Sequence, residues 1–115
     1  GLNSLIKAYT RPVAAKEVEN SIEKATTYTK SNLWLGQEMH KAYNNDIADG
    51  ITKIKEYRLP SGKRIDFIDF DSQTIYELKP NNPRAITAGY KQLQGYLNEV
   101  QSIFGDGWST HLDTY

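Results

Sequence analysis

The chain of 115 residues contains no cysteine, and its 14 basic and 14 acidic residues give a formal net charge of zero. Without cysteine, disulfides and thiolate metal sites are excluded. Modules that only bind nucleic acid are usually clearly basic, so the neutral balance argues against a pure binding role. The sequence also lacks a run of about twenty apolar residues, so we expect no membrane-spanning helix.

The sequence also lacks a signal peptide, a phosphate loop and a paired histidine. No basic stretch followed by an apolar stretch opens the chain, as a signal peptide would require. No glycine-rich phosphate loop is present, which argues against nucleotide-driven chemistry. Neither His40 nor His111 has a second His at i+4, the spacing of a helical metal pair. We therefore interpret His40 as a surface residue and His111 as structural.

The length fits one domain, which we predict to span residues 1–115. Residues 1–31 are predicted to be a helical segment, because apolar residues recur at i, i+4 and i+7, namely Val18, Ile22 and Ala25. Residues 32–115 are predicted to form the core of the domain. The chain begins at Gly1 without methionine. We interpret this as a piece of a longer polypeptide, although a cloning remnant would look the same.

Helical and strand patterns follow one another along the core. A helix is predicted from Leu33 to Asn45, where asparagine and aspartate residues interrupt the apolar row. Three alternating segments then predict a meander of strands at Ile51–Leu59, Lys63–Phe70 and Gln73–Lys79. The second segment carries apolar residues on both faces, which is typical of a central strand.

A long helix and a last strand complete the core. Asn82 and Pro83 predict the helix start, with Asn as N-cap and Pro at the first helical position. Gly105 fits the position just after the helix, and Trp108–Tyr115 alternates like a strand. The predicted fold class is α/β. Its mixed four-stranded sheet, a three-strand meander plus one strand after a crossover helix, is flanked by helices.

The hairpin between the second and third predicted strands brings two carboxylates together. A two-residue loop of Asp71 and Ser72, or a four-residue loop from Phe70 to Gln73, puts Ile68 opposite Ile75 and therefore Asp66 opposite Glu77. Side chains directly opposite share a face of the sheet, with Cβ atoms about 4.5–5.5 Å apart. Lys79 follows Glu77 by two residues and lies on the same face.

Two carboxylates in this arrangement repel each other unless their charge is compensated. A hard divalent cation, Mg²⁺ or also Mn²⁺, would compensate it, because such cations take oxygen ligands. Asp66 and Glu77 are then candidate metal ligands, and Lys79 is a candidate to stabilise charge that develops on phosphorus. Asp69 points to the opposite face and is excluded. On these residues alone, a surface carboxylate pair screened by Lys79 fits equally well.

Asp66, followed by Glu77-Leu78-Lys79 on the next strand, resembles the motif of the PD-(D/E)xK nuclease superfamily. That superfamily includes restriction endonucleases and RecB-like exonucleases. Ile65 stands where the motif has proline, at a position that varies widely in the superfamily. The superfamily's core order of helix, three-strand meander, helix and strand is similar to the order predicted here, so the resemblance implies a restriction-endonuclease-like core. The resemblance implies metal-dependent hydrolysis of phosphodiester bonds.

The resemblance adds two residues to the candidate site. Gln92 and Tyr96 form a Q-x-x-x-Y pattern similar to that of RecB-like members, in which the Gln lies near the metal; we assign Tyr96 to packing. Many superfamily members place a Glu of the first core helix near the metal, and Glu38 is the best match, although an exposed helix Glu fits equally well. The implied metal ligands are Asp66, Glu77 and Glu38, and the implied catalytic set adds Lys79 and Gln92.

Seven basic residues are candidates for contact with a phosphate backbone. They are Lys53, Lys55, Arg58, Lys63, Arg64, Arg84 and Lys91. Ordinary solvated charge is the alternative for any single one of them.

The stretch RIDFIDFDSQTIYELKPNNPRAITAGYKQLQGYL is also similar to the C-terminal nuclease domains of bacterial polymorphic toxins. This likeness implies a DNase carried by a larger secreted polypeptide, a DNA substrate in the cytoplasm of the target cell, and a cognate immunity protein. Two alternatives stay open: an RNase or tRNase toxin on the same fold, and a catalytically inactive nucleic-acid-binding domain. The intact set of Asp66, Glu77 and Lys79 argues against the inactive form.

Overall fold

The computed structural model describes residues 27–30 and 32–115. In chain order its elements are α1 (Leu33–Ala42), β1 (Lys53–Arg58), β2 (Arg64–Asp69), β3 (Thr74–Lys79), α2 (Pro83–Phe104) and β4 (Ser109–Thr114). The helix predicted around Val18, Ile22 and Ala25 lies outside the described residues. Within the described part of the chain, neither helix is long and apolar enough to cross a membrane.

Asparagine side chains cap the start of both helices. Asn32 Oδ1 accepts the N–H of Leu35 at 3.0 Å, and Asn82 Oδ1 accepts the N–H of Ala85 at 2.9 Å. Each bond satisfies a backbone donor that has no partner within the first helical turn. Pro83 lies at the start of α2, and Gly105 ends the helix with a φ of 95°. The predicted limits of α2 are therefore confirmed.

α1 ends at Ala42, so the predicted end at Asn45 is wrong. Tyr43 leaves the helix with a ψ of 120°, and Asn44 has a φ of 54°. Asparagine adopts this left-handed conformation more readily than most residues. The Asn44 carbonyl accepts the N–H of Ala48 at 3.0 Å, so a turn replaces the last predicted turn of helix.

The four strands form one mixed sheet in the order β1-β2-β3-β4. β1, β2 and β3 pair antiparallel as a meander, and β4 pairs parallel with β3 after the crossover through α2. β2 is a central strand, as the apolar residues on both of its faces predict. The predicted fold class is confirmed.

Apolar side chains cover both faces of the sheet. On the α2 side, the buried cluster contains Leu59, Ile65, Ile68, Ile75, Leu93, Tyr96, Val100 and Trp108. On the α1 side, it contains Met39, Ala42, Tyr43, Phe67, Leu78 and Tyr115. The sheet thus lies between the two helices, and alternate side chains of β3 contribute to opposite clusters.

The β2–β3 hairpin has the predicted register, with Ile68 paired to Ile75. Asp69 stabilises its turn, because Asp69 Oδ1 accepts the N–H of Asp71 at 2.9 Å and of Ser72 at 3.3 Å. Asp69 therefore binds the turn backbone, in keeping with its exclusion from the candidate site.

Candidate metal centre and active site

Three side chains that can bind a metal meet where α1 approaches β2 and β3. His40 comes from α1, Asp66 from β2 and Glu77 from β3, and one ligand atom of each lies within 4.8 Å of the other two. We call these three residues the His-Asp-Glu group. Among residues 27–30 and 32–115, no other group of three His, Asp or Glu side chains meets this distance. Each member belongs to a different element, so the tertiary fold assembles the group.

The hairpin register explains why the two carboxylates are adjacent. Backbone pairing in the hairpin ends at Phe67↔Tyr76, and Asp66 and Glu77 are the next residues of the two strands. There the Asp66 Oδ2 atom accepts the backbone N–H of Leu78 at 2.8 Å. This hydrogen bond from the backbone of β3 holds the Asp66 carboxylate beside that strand. The predicted juxtaposition of Asp66 and Glu77 is present.

The backbone of β1 is distorted next to Asp66. By the β1–β2 register, Glu56 lies across from Asp66, and its φ is 51°. A residue with a side chain is strained in this left-handed region, and such strain clusters at functional sites. Glu56 is exposed and lines the same cavity as Asp66. The strained backbone at Glu56 is therefore a second observation, independent of the two adjacent carboxylates, that indicates a functional site in this part of the sheet.

His40 is held by both of its ring nitrogens. Nδ1 lies 2.8 Å from the carbonyl oxygen of Gly36, one helical turn earlier, and Nε2 lies 3.2 Å from Asp66 Oδ2. Since the Gly36 oxygen can only accept, Nδ1 carries a proton and Nε2 faces the carboxylate. The hydrogen bond to Asp66 is the main cause that raises the pKa of His40, and burial acts in the opposite direction.

Glu77 is buried, with 3% of its surface exposed, and its Oε2 atom has no hydrogen-bond partner among the described residues. Burial, followed by the hydrogen bond to Asp66 and the Asp66 charge, raises the pKa of Glu77 to about 9. Without a cation, the buried pair is therefore best accommodated with a proton on Glu77. A buried oxygen without a partner beside a second carboxylate is the arrangement that a bound cation would satisfy.

Asp66 is the ionised member of the carboxylate pair. Burial alone would raise its pKa, but hydrogen bonds with His40, with Glu77 and from the Leu78 N–H, together with the His40 charge, lower it below the ordinary value. The His-Asp-Glu group thus combines one anionic carboxylate, one carboxyl group that resists ionisation and one imidazole.

Lys79 lies two residues after Glu77 on β3. Burial is the main cause that raises the pKa of Glu77, and the hydrogen bond to Asp66 is the main cause that raises the pKa of His40. The positive charge of Lys79 has the opposite effect and lowers both pKa values. The Lys79 ammonium group is therefore close enough to influence two members of the His-Asp-Glu group. A cation in this position can stabilise negative charge on a substrate phosphoryl group.

Tyr96 lies closer to the site than its predicted packing role requires. Only 9% of the residue is exposed, and burial is the main cause that raises its pKa to about 12, followed by the charges of Glu77 and Asp66. A hydrogen bond between Tyr96 and Glu77 contributes to the pKa of both groups. Tyr96 therefore packs in the core and also contacts a candidate metal ligand.

Gln92, its partner in the Q-x-x-x-Y pattern, is exposed. It lines a cavity of about 370 Å³ together with Lys63, Lys91 and Tyr96. We call this the α2-side cavity. Gln92 thus lies beside the tyrosine that contacts Glu77, and it faces a space that two lysines border.

Glu38, predicted as the third metal ligand, is exposed and is not a member of the His-Asp-Glu group. His40 occupies that position. Gly36 and His40 lie one helical turn apart on the same face of α1, but no signal in the sequence shows that this face turns toward β2. The superfamily preference for glutamate favoured Glu38 over this histidine.

A second cavity, of about 650 Å³, opens on the other side of the His-Asp-Glu group. We call it the α1-side cavity. Its lining includes His40, Asp66, Lys41, Arg64 and Tyr115. Asp66 therefore borders the α1-side cavity, Tyr96, which contacts Glu77, borders the α2-side cavity, and each cavity has basic side chains in its lining.

The seven predicted phosphate-contact residues divide into two sets. Lys53 and Lys55 are held by the protein itself: Lys53 Nζ lies 2.7 Å from Asp71 Oδ2, and Lys55 Nζ donates to the Lys41 carbonyl at 2.7 Å and to Asn45 Oδ1. The other five are Arg58, Lys63, Arg64, Arg84 and Lys91. All five are exposed, and four of them line surface cavities.

His111 lies on β4, outside the His-Asp-Glu group. Its Nε2 atom is 2.8 Å from Asp113 Oδ1, and its ring contacts Tyr76 with centroids 5.4 Å apart. Asp113 Oδ2 in turn accepts a hydrogen bond from the buried Tyr43 hydroxyl at 2.7 Å. These contacts are in keeping with the structural role expected for His111.

Comparison with known proteins identifies the family. Neither the curated proteins nor the solved structures contain a match to this chain. A family profile, described as Restriction endonuclease fold toxin 9, matches residues 28–115. This span covers both helices, all four strands and every member of the His-Asp-Glu group. The chain belongs to the Restriction endonuclease fold toxin 9 family.

Proposed function

We propose that this domain is a divalent-metal-dependent deoxyribonuclease that acts as the toxin of an interbacterial competition system. The observation that carries the proposal is the His-Asp-Glu group, with Lys79 beside it, in a toxin family with the restriction endonuclease fold. Toxins of this fold are expected to be nucleases.

The metal assignment rests on the chemistry of the donor atoms. His40, Asp66 and Glu77 offer one imidazole nitrogen and carboxylate oxygens, and the partnerless Glu77 Oε2 fits a cation ligand. Carboxylates suit Mg²⁺ and Mn²⁺, and the imidazole favours Mn²⁺ over Mg²⁺. A divalent cation held there would supply charge stabilisation and an activated water for hydrolysis of the phosphodiester bond.

Residues around the group have separate tasks in this proposal. Lys79 stabilises the negative charge that develops on the phosphoryl oxygens. The carbonyl of Gly36 holds His40 through Nδ1, so that Nε2 is presented to the site. Tyr96 contacts Glu77 from the α2 side and supports the orientation of that carboxyl group. Both helices therefore support the proposed metal ligands, with Gly36 of α1 holding His40 and Tyr96 of α2 contacting Glu77.

The nucleic-acid assignment rests on the two cavities. Lys63 and Lys91 border the α2-side cavity, and Lys41 and Arg64 border the α1-side cavity. A strand that crosses the His-Asp-Glu group would meet basic side chains before and after the bond that is cut. Such contacts bind through counterion release and need no overall positive charge on the protein. Lys53 and Lys55 have a smaller part, because the protein itself occupies their ammonium groups.

The biological assignment follows from the toxin family. A nuclease toxin that attacks DNA must be kept inactive in the cell that makes it, so we expect a cognate immunity protein. We also propose that the domain is delivered as part of a larger secreted polypeptide and acts in the cytoplasm of the target cell. The immunity protein should cover the region around Lys79 or one of the two cavities.

Incubation with nucleic acid tests the proposal directly. The purified domain should degrade plasmid DNA in Mg²⁺ or Mn²⁺ and leave it intact in EDTA, and the Asp66→Ala variant should be inactive in every buffer. Total RNA is the parallel substrate. Cleavage of tRNA with intact plasmid would replace the DNase by an RNase on the same site, and cleavage in EDTA would refute the metal.

Growth assays test the biological part. Expression of the wild-type domain should arrest growth, and expression of Asp66→Ala should not. Normal growth at wild-type expression levels confirmed by immunoblot would contradict the role as a toxin.

A further inference from the structure

Helix α2 passes unusually close to the sheet at Gly89. A Cβ atom at this position would lie 2.9 Å from Lys79 Cγ and 2.8 Å from Leu112 Cδ1. Real Cβ atoms essentially never approach other heavy atoms within 3.0 Å. Gly89 is buried in the interior of the helix, so no side chain fits there unless Lys79 or Leu112 moves.

The stem of Lys79 follows the helix at this point. The same Cβ position is also 3.7 Å from Lys79 Cε, so Gly89 faces both an early and a late carbon of the side chain. A lysine side chain has many rotamers when it is free, and confinement of its stem reduces that freedom. The close helix therefore limits the directions in which the ammonium group can point.

The sequence around Gly89 supports a spatial requirement. Glycine is one of the least favourable residues in a helix interior, so its presence there calls for a packing reason. Gly89 is not among the glycines with positive φ, and backbone freedom is therefore not that reason. Gly95 on the same helix is different, since a Cβ there would meet only the end of the Lys63 side chain, with Nζ at 3.4 Å.

We propose that Gly89 is a positioning residue for Lys79: the missing side chain leaves the channel in which the lysine stem lies and so aims its ammonium group at the reacting phosphoryl group. This inference rests on the proposed function of Lys79 in charge stabilisation. A preorganised charge is effective only while it is held in place, so displacement of the stem should lower turnover with little effect on substrate binding.

The first experiment compares two glycine substitutions. Gly89→Ala should lower kcat on plasmid DNA by about tenfold or more, while KM and the metal concentration for half-maximal activity stay within about twofold. Gly95→Ala adds the same methyl group to the same helix, but beside the end of Lys63 in the α2-side cavity, so it should change KM, if anything, and should not reproduce the loss of kcat. Equal kcat values for Gly89→Ala and wild type would overturn the proposal.

A double-mutant cycle separates positioning from general damage. If Gly89 acts through Lys79, Gly89→Ala should cause no further loss of kcat in a Lys79→Ala background. A full additional loss in that background would mean that Gly89 acts by another route, and it would overturn the inference. If Lys79→Ala itself keeps normal turnover while Asp66→Ala is inactive, the proposed task of Lys79 fails, and the inference fails with it.

A third variant distinguishes a loss of Lys79 positioning from a loss of protein stability. Leu112→Ala removes the other close neighbour, so Gly89→Ala/Leu112→Ala should regain the thermal stability of Leu112→Ala but keep the low kcat. Recovery of kcat in this variant would assign the effect to Leu112 and overturn the proposal. A crystal structure of Gly89→Ala gives a readout that does not depend on activity, because the Lys79 Cγ atom should be displaced from its path along α2. An unmoved lysine would contradict the inference.

Discussion

The β2–β3 hairpin carries acidic side chains at both ends, and the two ends differ in how those side chains are satisfied. At the turn, Asp69 accepts hydrogen bonds from two backbone N–H groups. Asp71 accepts hydrogen bonds from Lys53 Nζ at 2.7 Å and from Thr52 Oγ1 at 3.1 Å. At the open end, the buried Glu77 Oε2 has no partner among the described residues.

The pKa shifts follow the same division. The hydrogen bond from Lys53 is the main cause that lowers the pKa of Asp71, so ionisation is favoured at the turn. Burial is the main cause that raises the pKa of Glu77, so ionisation is opposed at the open end. An acidic cluster that the protein satisfies by itself is structural, whereas one that it leaves unsatisfied has capacity for a ligand. Internal hydrogen-bond partners, or their absence, therefore distinguish a structural acidic cluster from one that can bind a ligand.

The largest expected effect is on catalysis. Asp66→Ala should lower kcat/KM on DNA by at least about 10³-fold, because it removes both a proposed metal ligand and the partner of His40. Asp71→Ala at the other end of the hairpin should keep activity within about twofold. Parallel measurements on plasmid DNA, with circular dichroism to verify folding, check both. Similar losses in the two variants would remove the distinction between the ends.

Loss of the lysine at the open end should have the next largest effect. Lys79→Ala should lower kcat by about 10²-fold, the scale for one preorganised electrostatic group, with little change in the metal requirement. Lys53→Ala is the matched control, since its ammonium group is bound to Asp71 at the turn. Steady-state kinetics at saturating Mg²⁺ measure the effect. Near-normal turnover of Lys79→Ala would show that another group stabilises the phosphoryl charge.

The choice between His40 and Glu38 is tested by metal titration. His40→Ala should raise the Mn²⁺ concentration for half-maximal activity by about 10- to 100-fold, because metal-site contacts typically contribute on this scale. Glu38→Ala should leave the titration unchanged, since Glu38 is exposed and lies outside the group. A changed titration for Glu38→Ala with an unchanged one for His40→Ala would instead support Glu38 as the metal ligand, as the superfamily resemblance implies.

The smallest expected effect is on stability as a function of pH. In EDTA, unfolded Glu77 loses its proton near its ordinary pKa of 4.5, whereas the folded state keeps the proton up to about pH 9. Between these values the folded state binds the additional proton, so the Glu77 contribution to the free energy of unfolding falls as the pH rises. Glu77→Gln cannot ionise and should have a higher Tm than wild type near pH 8, with a smaller difference near pH 4.

Asp71→Asn is the control of opposite sign. The pKa of Asp71 is lowered in the folded state, so its contribution is present above the ordinary pKa of 3.8 and is lost as the pH falls. Asp71→Asn should therefore lower the Tm slightly near pH 7 and not in strong acid. Thermal denaturation across this pH range measures both slopes. A wild-type Tm near pH 8 equal to that of Glu77→Gln would contradict the claim that burial opposes the ionisation of Glu77 at the open end of the hairpin.

The parts of the structure that depend on local chemistry could be predicted from the sequence. The start and end of α2 follow from Asn82, Pro83 and Gly105, whose side chains or backbones satisfy the helix ends. The proximity of Asp66 and Glu77 follows from a short hairpin, whose register pairs the neighbouring residues Phe67 and Tyr76 as predicted.

The remaining parts depend on how separate elements pack. The sequence does not say which face of α1 turns toward β2, so Glu38 was chosen although His40 makes the contact. The turn that ends α1 at Ala42 includes a left-handed Asn44, which helical periodicity does not reveal. Likewise, no local pattern indicates that Lys53 and Lys55 are occupied by partners distant in the sequence.

The crossover between β3 and β4 has a consequence for the order of folding. The hairpin that holds Asp66 and Glu77 closes over a four-residue turn, whereas Thr74 can pair with Ser109 only after the whole of α2 has been placed. Non-local pairing of this kind is slow compared with hairpin closure. We therefore expect the two carboxylates to meet early, while they are still in water, and Lys79 to be confined only when α2 docks. A chain that refolds in this order brings its two carboxylates together first and, under the proposed function, acquires its catalytic competence last.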